Sequence, residues 1–375
     1  MAKNTKGTIQ PAQPQKSKRG KDTQPSCTLP RTELRPLPAG MPEFRARLIR
    51  RNEKKWVNGT ELHYFFFDKG TDGVGGNWVG SVSDKQAVRD AFDQWKSLPL
   101  GLKFTEVTER EDAELRIGFD QSDGSWSYVG RDAIDHVPDP NERTMNFGWS
   151  LTTPYGGHTA LHEIGHALGF PHEHQNPNAG IVWDEAAVYD YFRGEPNNWP
   201  DSTIEWNILR KLSAAEVEGS AWDPDSVMHY GFEPGLILQP QKYNATGLSP
   251  ALGLSQTDED EARKFYPALE ESQELVLKPY ESRPLLIEAG QQVDFKIAPE
   301  QTRRYTIQTF GLSDTVMVLF ERRENGELRY IDGDDDSGYS RNARIHERLY
   351  RDREYVLKVR LYYSDIAGQT AVLMY

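Results

Sequence analysis

The spacing of apolar residues predicts a mixture of helices and strands over the first two thirds of the chain. Apolar residues at positions 87, 88, 91, 92 and 95 recur at helical spacing, so this segment is predicted as a helix capped by Ser83 or Asp84. A second helix is predicted at residues 259–266, after a polar run and before Pro267. Runs rich in aromatic and β-branched residues predict strands at residues 62–67, 104–107, 115–119 and 144–149.

The pattern changes near residue 270, where short β-prone runs follow one another. Turn signals such as Ala289-Gly290 and Asn325-Gly326 separate them. Strands are predicted at residues 285–288, 293–297, 304–309, 315–321, 327–331, 344–349, 354–361 and 370–374. Short strands at this spacing are typical of a β-sandwich. We therefore expect a disordered basic leader at residues 1–40, a mixed domain at residues 41–269 and an all-β domain at residues 270–375.

Charge and composition narrow the classes of partner. The net charge of the 375-residue chain is −13, but residues 1–50 carry +8 and the rest −21. The basic start is typical of a solvated tail, and the acidic body argues against nucleic acid as a partner. No apolar run approaches the roughly 20 residues of a membrane-spanning helix, and none near the start forms a secretory signal. Export by a leaderless or unknown route and retention in the cytoplasm both stay open.

One segment carries a complete metal-binding pattern. His162 and His166 are four residues apart and would lie on one face of a helix that starts after Gly156-Gly157. Gly169 would end this helix with a positive φ and let His172 turn back as a third ligand. Three histidines leave one position for water, which is the open arrangement of a catalytic zinc site.

Glu163 supplies the base that such a site needs. Zinc lowers the pKa of its bound water from about 15.7 toward 7, and Glu163 would take the proton as the water attacks a carbonyl. The plain alternative, a helix with two structural histidines, fits a bare His-x-x-x-His pair. The added Gly169 and His172 make that alternative a poor account of this segment.

A second segment, Ser226-Val227-Met228-His229-Tyr230, supports the same conclusion. With it the sequence resembles the metzincin metalloproteases, and within them the astacin-like group. The resemblance implies an α+β catalytic domain with a mixed, twisted sheet, three main helices and zinc in the cleft. It implies that Met228 forms an apolar base beneath the zinc ligands, and that Tyr230 is a fifth ligand that swings away to stabilise the transition state.

Other segments fit this resemblance in part. Residues 124–131 are similar to the astacin segment before the edge strand, and residues 144–148 to the edge strand itself, where an extended substrate would pair. Cys27 is the single cysteine, so the intrachain disulfides common in animal astacins are excluded. Glu173 matches a glutamate that contacts the mature N-terminus in astacins, but we do not carry that contact over. His174 is not expected to be a ligand, because the set is already complete.

Two further features leave alternatives open. Cys27 could plug the zinc site as the pro-segment cysteine of matrixins does, but its flanking residues do not match, and a free tail cysteine is the preferred reading. Residues 275–375 resemble the pre-peptidase C-terminal domain of bacterial peptidases. Their oxygen-rich loop at residues 332–338 is a candidate calcium site, with a solvated turn as the alternative.

The sequence thus predicts a monomeric zinc endopeptidase that holds one catalytic ion and acts on protein or peptide substrates. Its metal ligands would be His162, His166, His172 and Tyr230, with Glu163 and Tyr230 as catalytic residues. Two rivals stay open: a binding or adhesion module with an inactive zinc domain, and a zinc hydrolase of small amides.

Overall fold

The computed structural model describes residues 24–32, 54–56, 58–68, 78–213, 221–268, 275–338, 341–363 and 367–375. The first part of the described chain is a mixed α/β domain, and the last part is a β-sandwich. This is the α+β fold class that the sequence predicts. The division at residues 40 and 269 stays a prediction, and most of the predicted leader lies outside the described residues.

A five-stranded sheet forms the first layer of the mixed domain, in the order β2-β1-β3-β5-β4. Its strands are β1 (Glu61–Phe66), β2 (Lys103–Glu106), β3 (Leu115–Gly118), β4 (Trp126–Ser127) and β5 (Met145–Asn146). β1, β2, β3 and β5 pair in parallel, whereas β4 is antiparallel to β5. The two edges of this sheet are therefore β2 and β4.

That arrangement corrects the predicted edge strand. Residues 145–146 pair with β3 on one side and with β4 on the other, so they lie inside the sheet. Trp126 and Ser127, in the segment expected to precede the edge strand, form the edge instead. The physical reason is local: two residues are too few to show an alternating pattern, so β4 carries no recognisable strand signal.

The described residues of the mixed domain also form seven α-helices. They are α1 (Val82–Ser97), α2 (Asp132–Asp135), α3 (Pro154–Ala167), α4 (Glu185–Arg193), α5 (Asp201–Ile204), α6 (Lys242–Thr246) and α7 (Gln256–Phe265). A π-helical turn, Glu205–Leu209, continues α5, and 3-10 turns lie at Arg110–Asp112 and Glu173–Gln175. β6 (Val182–Trp183) and β7 (Ile237–Gln239) pair with each other. Ser81 caps α1 by accepting a hydrogen bond from the Asp84 backbone N–H. The predicted cap, Ser83 or Asp84, is therefore wrong.

The hydrophobic core joins α1, α3 and the sheet. α1 turns Val88, Ala91, Phe92 and Trp95 inward, and each is at most 2% exposed. Trp95 also donates from Nε1 to the Leu161 carbonyl of α3 at 3.2 Å. Burying such large apolar side chains contributes roughly 1.5–3 kcal/mol each. This core fixes α3, the helix that carries the metal motif, against the sheet.

The C-terminal part consists of two packed sheets. One has the order β13-β12-β15-β10-β8 and the other β14-β11-β16-β9. Their strands are β8 (Leu275–Val276), β9 (Ser282–Ile287), β10 (Gln292–Ile297), β11 (Arg303–Gly311), β12 (Thr315–Arg322), β13 (Leu328–Asp334), β14 (Arg344–Leu349), β15 (Glu354–Leu361) and β16 (Gly368–Met374). The eight predicted strands are confirmed, and β8 is an addition.

Charged groups join the sandwich to the mixed domain. Arg323 pairs with Asp112, and Lys358 donates from Nζ to the Gly59 carbonyl at 3.0 Å. His63 Nε2 lies 3.7 Å from a Glu327 carboxylate oxygen. The sandwich thus contacts the first strand of the mixed domain directly. Among the described residues, every helix is too short or too polar to cross a membrane.

Candidate metal centre

Helix α3 presents two of the predicted ligands and the predicted base. It begins at Pro154, and Thr153 caps it by accepting from the Gly156 backbone N–H at 3.0 Å. The predicted start after Gly156-Gly157 is therefore wrong, because proline suits the first helical position and threonine suits the cap. His162, Glu163 and His166 are all buried on this helix.

The helix ends as the sequence predicts. Gly169 has φ +99°, and its N–H and that of Phe170 bond to the carbonyls of His166 and Gly165 at 2.8 and 3.0 Å. This left-handed end turns the chain back toward α3. His172 then lies with its ring centroid 4.7 Å from that of His166 and 5.5 Å from that of His162.

Four side chains bring donor atoms together at this point. One donor atom from each of Cys27, His162, His166 and His172 lies within 4.8 Å of every other, and all four residues are buried. Imidazole nitrogens and a thiolate are ligands that zinc prefers. The donor set therefore fits a zinc ion.

The position of Cys27 overturns the preferred reading of a free tail cysteine. Its Sγ lies 3.0 Å from His162 Nε2 and 3.5 Å from His172 Nε2, and the residue is only 6% exposed. The disordered leader is likewise wrong for residues 24–32, because the cleft supplies backbone and side-chain partners for them. The structure therefore agrees with the alternative, in which Cys27 lies at the metal site.

Backbone carbonyls orient two of the histidines. His162 Nδ1 donates to the Val227 carbonyl and His166 Nδ1 donates to the Phe170 carbonyl, each at 2.7 Å. A proton held on Nδ1 leaves Nε2 with its lone pair free, which is the form that binds a metal. His166 Nε2 has no hydrogen-bond partner among the described residues. An unpaired buried nitrogen of this kind is costly unless an ion satisfies it.

Burial determines the ionisation of these groups. It lowers the pKa of His162 and His172 well below the usual value, and it lowers the pKa of His166 to about 4. The imidazoles are therefore neutral, as metal ligands must be. Burial also raises the pKa of the Glu163 carboxyl well above its ordinary value. The pKa of the Cys27 thiol is raised by burial and then by the charge of Glu163.

Met228 packs against α3, and its role as an apolar base beneath the zinc ligands stays a prediction. The residue is 4% exposed, and a Cβ added to Gly165 of α3 would collide with its sulfur. Asp258 of α7 holds the turn before it, accepting from Ser226 Oγ at 2.6 Å and from the Val227 N–H at 2.7 Å. The carbonyl of Val227 in turn orients His162, so α7 supports the metal centre through this turn.

Tyr230 faces the same centre but bonds to Cys27. Its hydroxyl donates to the Cys27 carbonyl at 2.7 Å and accepts from the Cys27 Sγ at 3.2 Å. Its ring centroid is 4.3 Å from that of His172. The predicted side chain is therefore in the site, and its role as a ligand stays a prediction.

Neighbouring polar residues have other partners. His174 Nε2 bonds to the Asn207 carbonyl at 2.7 Å and lies outside the donor cluster. Glu173 accepts from the Asp223 N–H and from Asn176 Nδ2, each at 3.0 Å. Burial raises the pKa of Glu173 to about 7. Among the described residues, the acidic loop at 332–338 forms no comparable donor cluster, and calcium there stays an expectation.

Sequence reasoning missed the residues that hold the Cys27 segment. Asn197 and Asn207 accept from its backbone, and Tyr155 donates to it. All three belong to unremarkable polar or aromatic stretches. Their partners lie more than 100 positions away, so no local pattern could have indicated them.

Comparisons with known proteins agree with this geometry. Residues 50–235 match the family model described as Astacin (Peptidase family M12A). The structure of myroilysin is similar at 30% sequence identity and a TM-score of 0.50, over 58% of this chain and 97% of that one. The chain belongs to the astacin family.

Astacin relatives differ from this chain in length. Tolloid-like protein 2 of Homo sapiens is 30% identical over 239 residues, which is 60% of this chain. The chain spans only 20% of the length of that relative.

The sandwich is similar to the pre-peptidase C-terminal domain of a Bacillus anthracis collagenase, with a TM-score of 0.23 and 14% identity, over 28% of this chain and 96% of that one. Its all-β architecture is clear from the strands themselves. The role of this domain stays open.

Proposed function

We propose that this astacin-family chain is a zinc-dependent endopeptidase acting on protein or peptide substrates. The observation that carries the proposal is the convergence of three buried, neutral histidines next to the buried carboxyl of Glu163. His162, His166 and His172 would hold the ion. Zinc, when bound, supplies a Lewis acid that polarises a carbonyl and lowers the pKa of water.

Glu163 has the place and environment of a general base. It follows His162 directly on α3, and neither of its carboxylate oxygens has a hydrogen-bond partner of normal geometry among the described residues. Burial raises the pKa of this carboxyl above its ordinary value, which favours the uptake of a proton. Glu163 would accept a proton from the attacking water and deliver it to the departing amine.

The edge strand favours a peptide over a small amide. Thr28 donates its backbone N–H to the Ser125 carbonyl at 3.0 Å and bridges to Trp126 of β4. An extended chain is thus already paired with this edge, and a substrate could use the same groups by β-augmentation. Tyr230, with its hydroxyl in the site, is the side chain we propose for stabilising charge on the substrate carbonyl.

The test of the base is Glu163→Ala in a Cys27→Ser chain, because the wild-type thiol lies within the cluster of metal-binding side chains. We expect loss of casein hydrolysis by about 100-fold or more, because general-base catalysis contributes about 10²–10⁴-fold. Zinc content should stay near one ion per chain, since the histidines are unchanged. The matched control is Glu185→Ala, a carboxylate in the first turn of α4 and outside the donor cluster. Equal turnover of the Cys27→Ser chain with and without Glu163→Ala would refute the mechanism.

A chelator-sensitive casein assay on the Cys27→Ser chain, in which the thiol no longer lies in the metal cluster, separates the rival readings. Hydrolysis that stops on chelation and returns with zinc supports an endopeptidase. Cleavage of small amides but not of casein would indicate the hydrolase alternative, and bound zinc with no hydrolysis would indicate the binding module. A site of action outside the cell and a monomeric state are parts of the same proposal.

A further inference from the structure

The two sheets of the sandwich differ in what covers them. The sheet β13-β12-β15-β10-β8 contacts the mixed domain through Lys358 on β15 and through Arg323, which directly follows β12. The other sheet, β14-β11-β16-β9, carries exposed side chains on each of its four strands. We call the side of this second sheet that points away from the sandwich core the outer face. It is open to solvent.

The alternation of buried and exposed residues defines the outer face. Tyr305 and Ile307 of β11 and Ile345 and Leu349 of β14 are buried and point into the core. Successive side chains of a strand point to opposite sides, so the residues between them point outward. All outward positions of the four strands are described, and none is Asp or Glu, although the chain has 57 acidic residues. The outer face therefore lacks the negative charge that dominates the rest of the chain.

Three arginines lie in one corner of the outer face. Arg344 and Arg348 are on β14, and Arg304 of β11 is the direct cross-strand partner of Arg348. All three are exposed, and none forms an ion pair with a carboxylate of the described residues. Like charges directly opposite each other destabilise a sheet. An external anion would relieve this repulsion.

Protection of a sheet edge does not explain all of this charge. β14 is an edge strand, and charged residues on edge strands oppose unwanted pairing with other chains. Arg304, however, lies on β11, which is an inner strand between β14 and β16. Its position opposite Arg348 therefore needs another reason, and binding of an anionic partner supplies one.

Large apolar side chains lie in the adjoining corner. Phe310 at the end of β11, Leu286 of β9 and Leu312 in the turn after β11 are all exposed, and Leu312 is 99% exposed. Pairing through Ala371 and Pro284 places Phe310 and Leu286 on neighbouring rows of the outer face. A single exposed apolar residue is ordinary, whereas several together mark an interaction surface.

The two corners are close enough to contact one partner. Gln308 pairs with Arg344, and Phe310 is the next outward residue of β11, about 7 Å further along the strand. A soluble polyanion would contact the arginines but would gain nothing from an exposed leucine. An anionic bilayer offers negative charge to the arginines and an apolar interior to Leu312. The combination therefore favours a membrane surface over an acidic polymer.

We propose that the outer face is a docking surface for an anionic lipid bilayer. Arg304, Arg344 and Arg348 would lie at the headgroups, and Phe310 and Leu312 would enter the apolar boundary. The chain would lie on the membrane without crossing it, and the mixed domain would stay clear of the bilayer because it contacts the other sheet. Docking does not depend on the proposed endopeptidase function.

The first experiment tests the arginines by sedimentation of the intact chain with vesicles. Vesicles of equal parts phosphatidylcholine and phosphatidylglycerol are compared with vesicles of phosphatidylcholine alone. We expect binding to the anionic vesicles only, and weaker binding as salt is raised. Arg304→Gln/Arg348→Gln should bind about 25-fold more weakly, since each arginine near an anionic surface contributes about fivefold. Arg304→Lys/Arg348→Lys keeps both charges and should bind like the wild type. Lys296→Gln, which removes a charge from the other sheet, should do so too.

The second experiment tests the apolar corner with the same vesicles. Leu312→Ser should bind about tenfold more weakly, because burial of a leucine contributes at least that factor. Leu252→Ser changes an exposed leucine of the mixed domain and should leave binding unchanged. All the substituted side chains are exposed, so the variants should fold. Because Arg304→Gln/Arg348→Gln removes a like-charge pair, its melting temperature should be at or above that of the wild type.

The outcomes decide between a bilayer and other partners. No binding of the wild type to the anionic vesicles would overturn the proposal, as would binding that the arginine and leucine variants weaken no more than their controls do. Loss of binding in the arginine variant alone, with heparin bound equally by Leu312→Ser and wild type, would indicate a soluble polyanion and would also overturn it. Weaker binding of both variants, with unchanged controls, supports the bilayer.

Discussion

Gly165 offers a sharp test of how α3 is packed against the methionine turn. A Cβ built at Gly165 would lie roughly 1 Å inside the ordinary contact distance of about 3.5 Å to Met228 Sδ, and it would lie 3.3 Å from Met228 Cε. Met228 is buried against α3, so it has little room to move. Gly165→Ala should therefore overpack the support of the metal site.

The magnitude follows from two opposing effects. Overpacking a core typically costs about 1–3 kcal/mol. Replacing a helical glycine by alanine contributes about 1 kcal/mol in the other direction. Gly157 is the matched control, because it lies on the same helix and its added Cβ would meet no heavy atom within 4 Å. Gly157→Ala should thus be more stable than wild type, and Gly165→Ala should be less stable than Gly157→Ala by about 1–3 kcal/mol.

Urea unfolding of the metal-free chains measures this difference without a contribution from zinc binding. Zinc affinity, measured by chelator competition, should fall in Gly165→Ala and stay at the wild-type value in Gly157→Ala. In a Met228→Ala background the collision is gone, so Gly165→Ala should stabilise there. Equal stabilities of the two alanine variants in the wild-type background would refute the packing argument.

Two further predictions concern the supports of the fold. Asp258→Ala should lower the free energy of unfolding by about 2–4 kcal/mol, because it removes the α7 capping interaction and leaves the Val227 N–H without its acceptor. Chelator competition should also show weaker zinc binding. An unchanged free energy of unfolding would contradict this role of Asp258. His63 is buried, which lowers its pKa, but Glu114, Glu61 and Glu327 outweigh burial and raise that pKa above 6.5. A raised pKa stabilises the fold below 6.5 and loses this contribution as pH rises through the folded-state value. His63→Gln should therefore flatten the decline in melting temperature above about pH 6.5, and an unchanged pH profile would contradict this.

The parts of this molecule that were predictable from sequence are those with local signals. Helical spacing indicates His162, Glu163 and His166, and the need for a positive φ at the helix end indicates Gly169. The eight predicted sandwich strands were predictable because each is six to nine residues of β-prone sequence between turns, whereas β8 has only two residues. Helical spacing, turns and strand patterns depend on residues that are close together in the sequence, so the sequence alone is enough to predict them.

The parts that were not predictable depend on partners far away in the chain. Cys27 and His162 are 135 positions apart, and the residues beside Cys27 carry no pattern that indicates the pairing. The β4 edge is two residues long and is defined only by its partner β5. The start of α3 was misplaced because Gly156 resembles a helix breaker, whereas Thr153 and Pro154 determine the cap.

The most direct test of the central claim compares Cys27→Ser with the double variant Cys27→Ser/Glu163→Gln. Zinc content and chelator-sensitive casein hydrolysis are measured on the same samples. We predict about one zinc ion per chain in both, with hydrolysis by the single variant and at least about a 100-fold loss in the double variant. Equal hydrolysis by the two, or no hydrolysis by the zinc-loaded single variant, would contradict a zinc peptidase that uses Glu163 as its base.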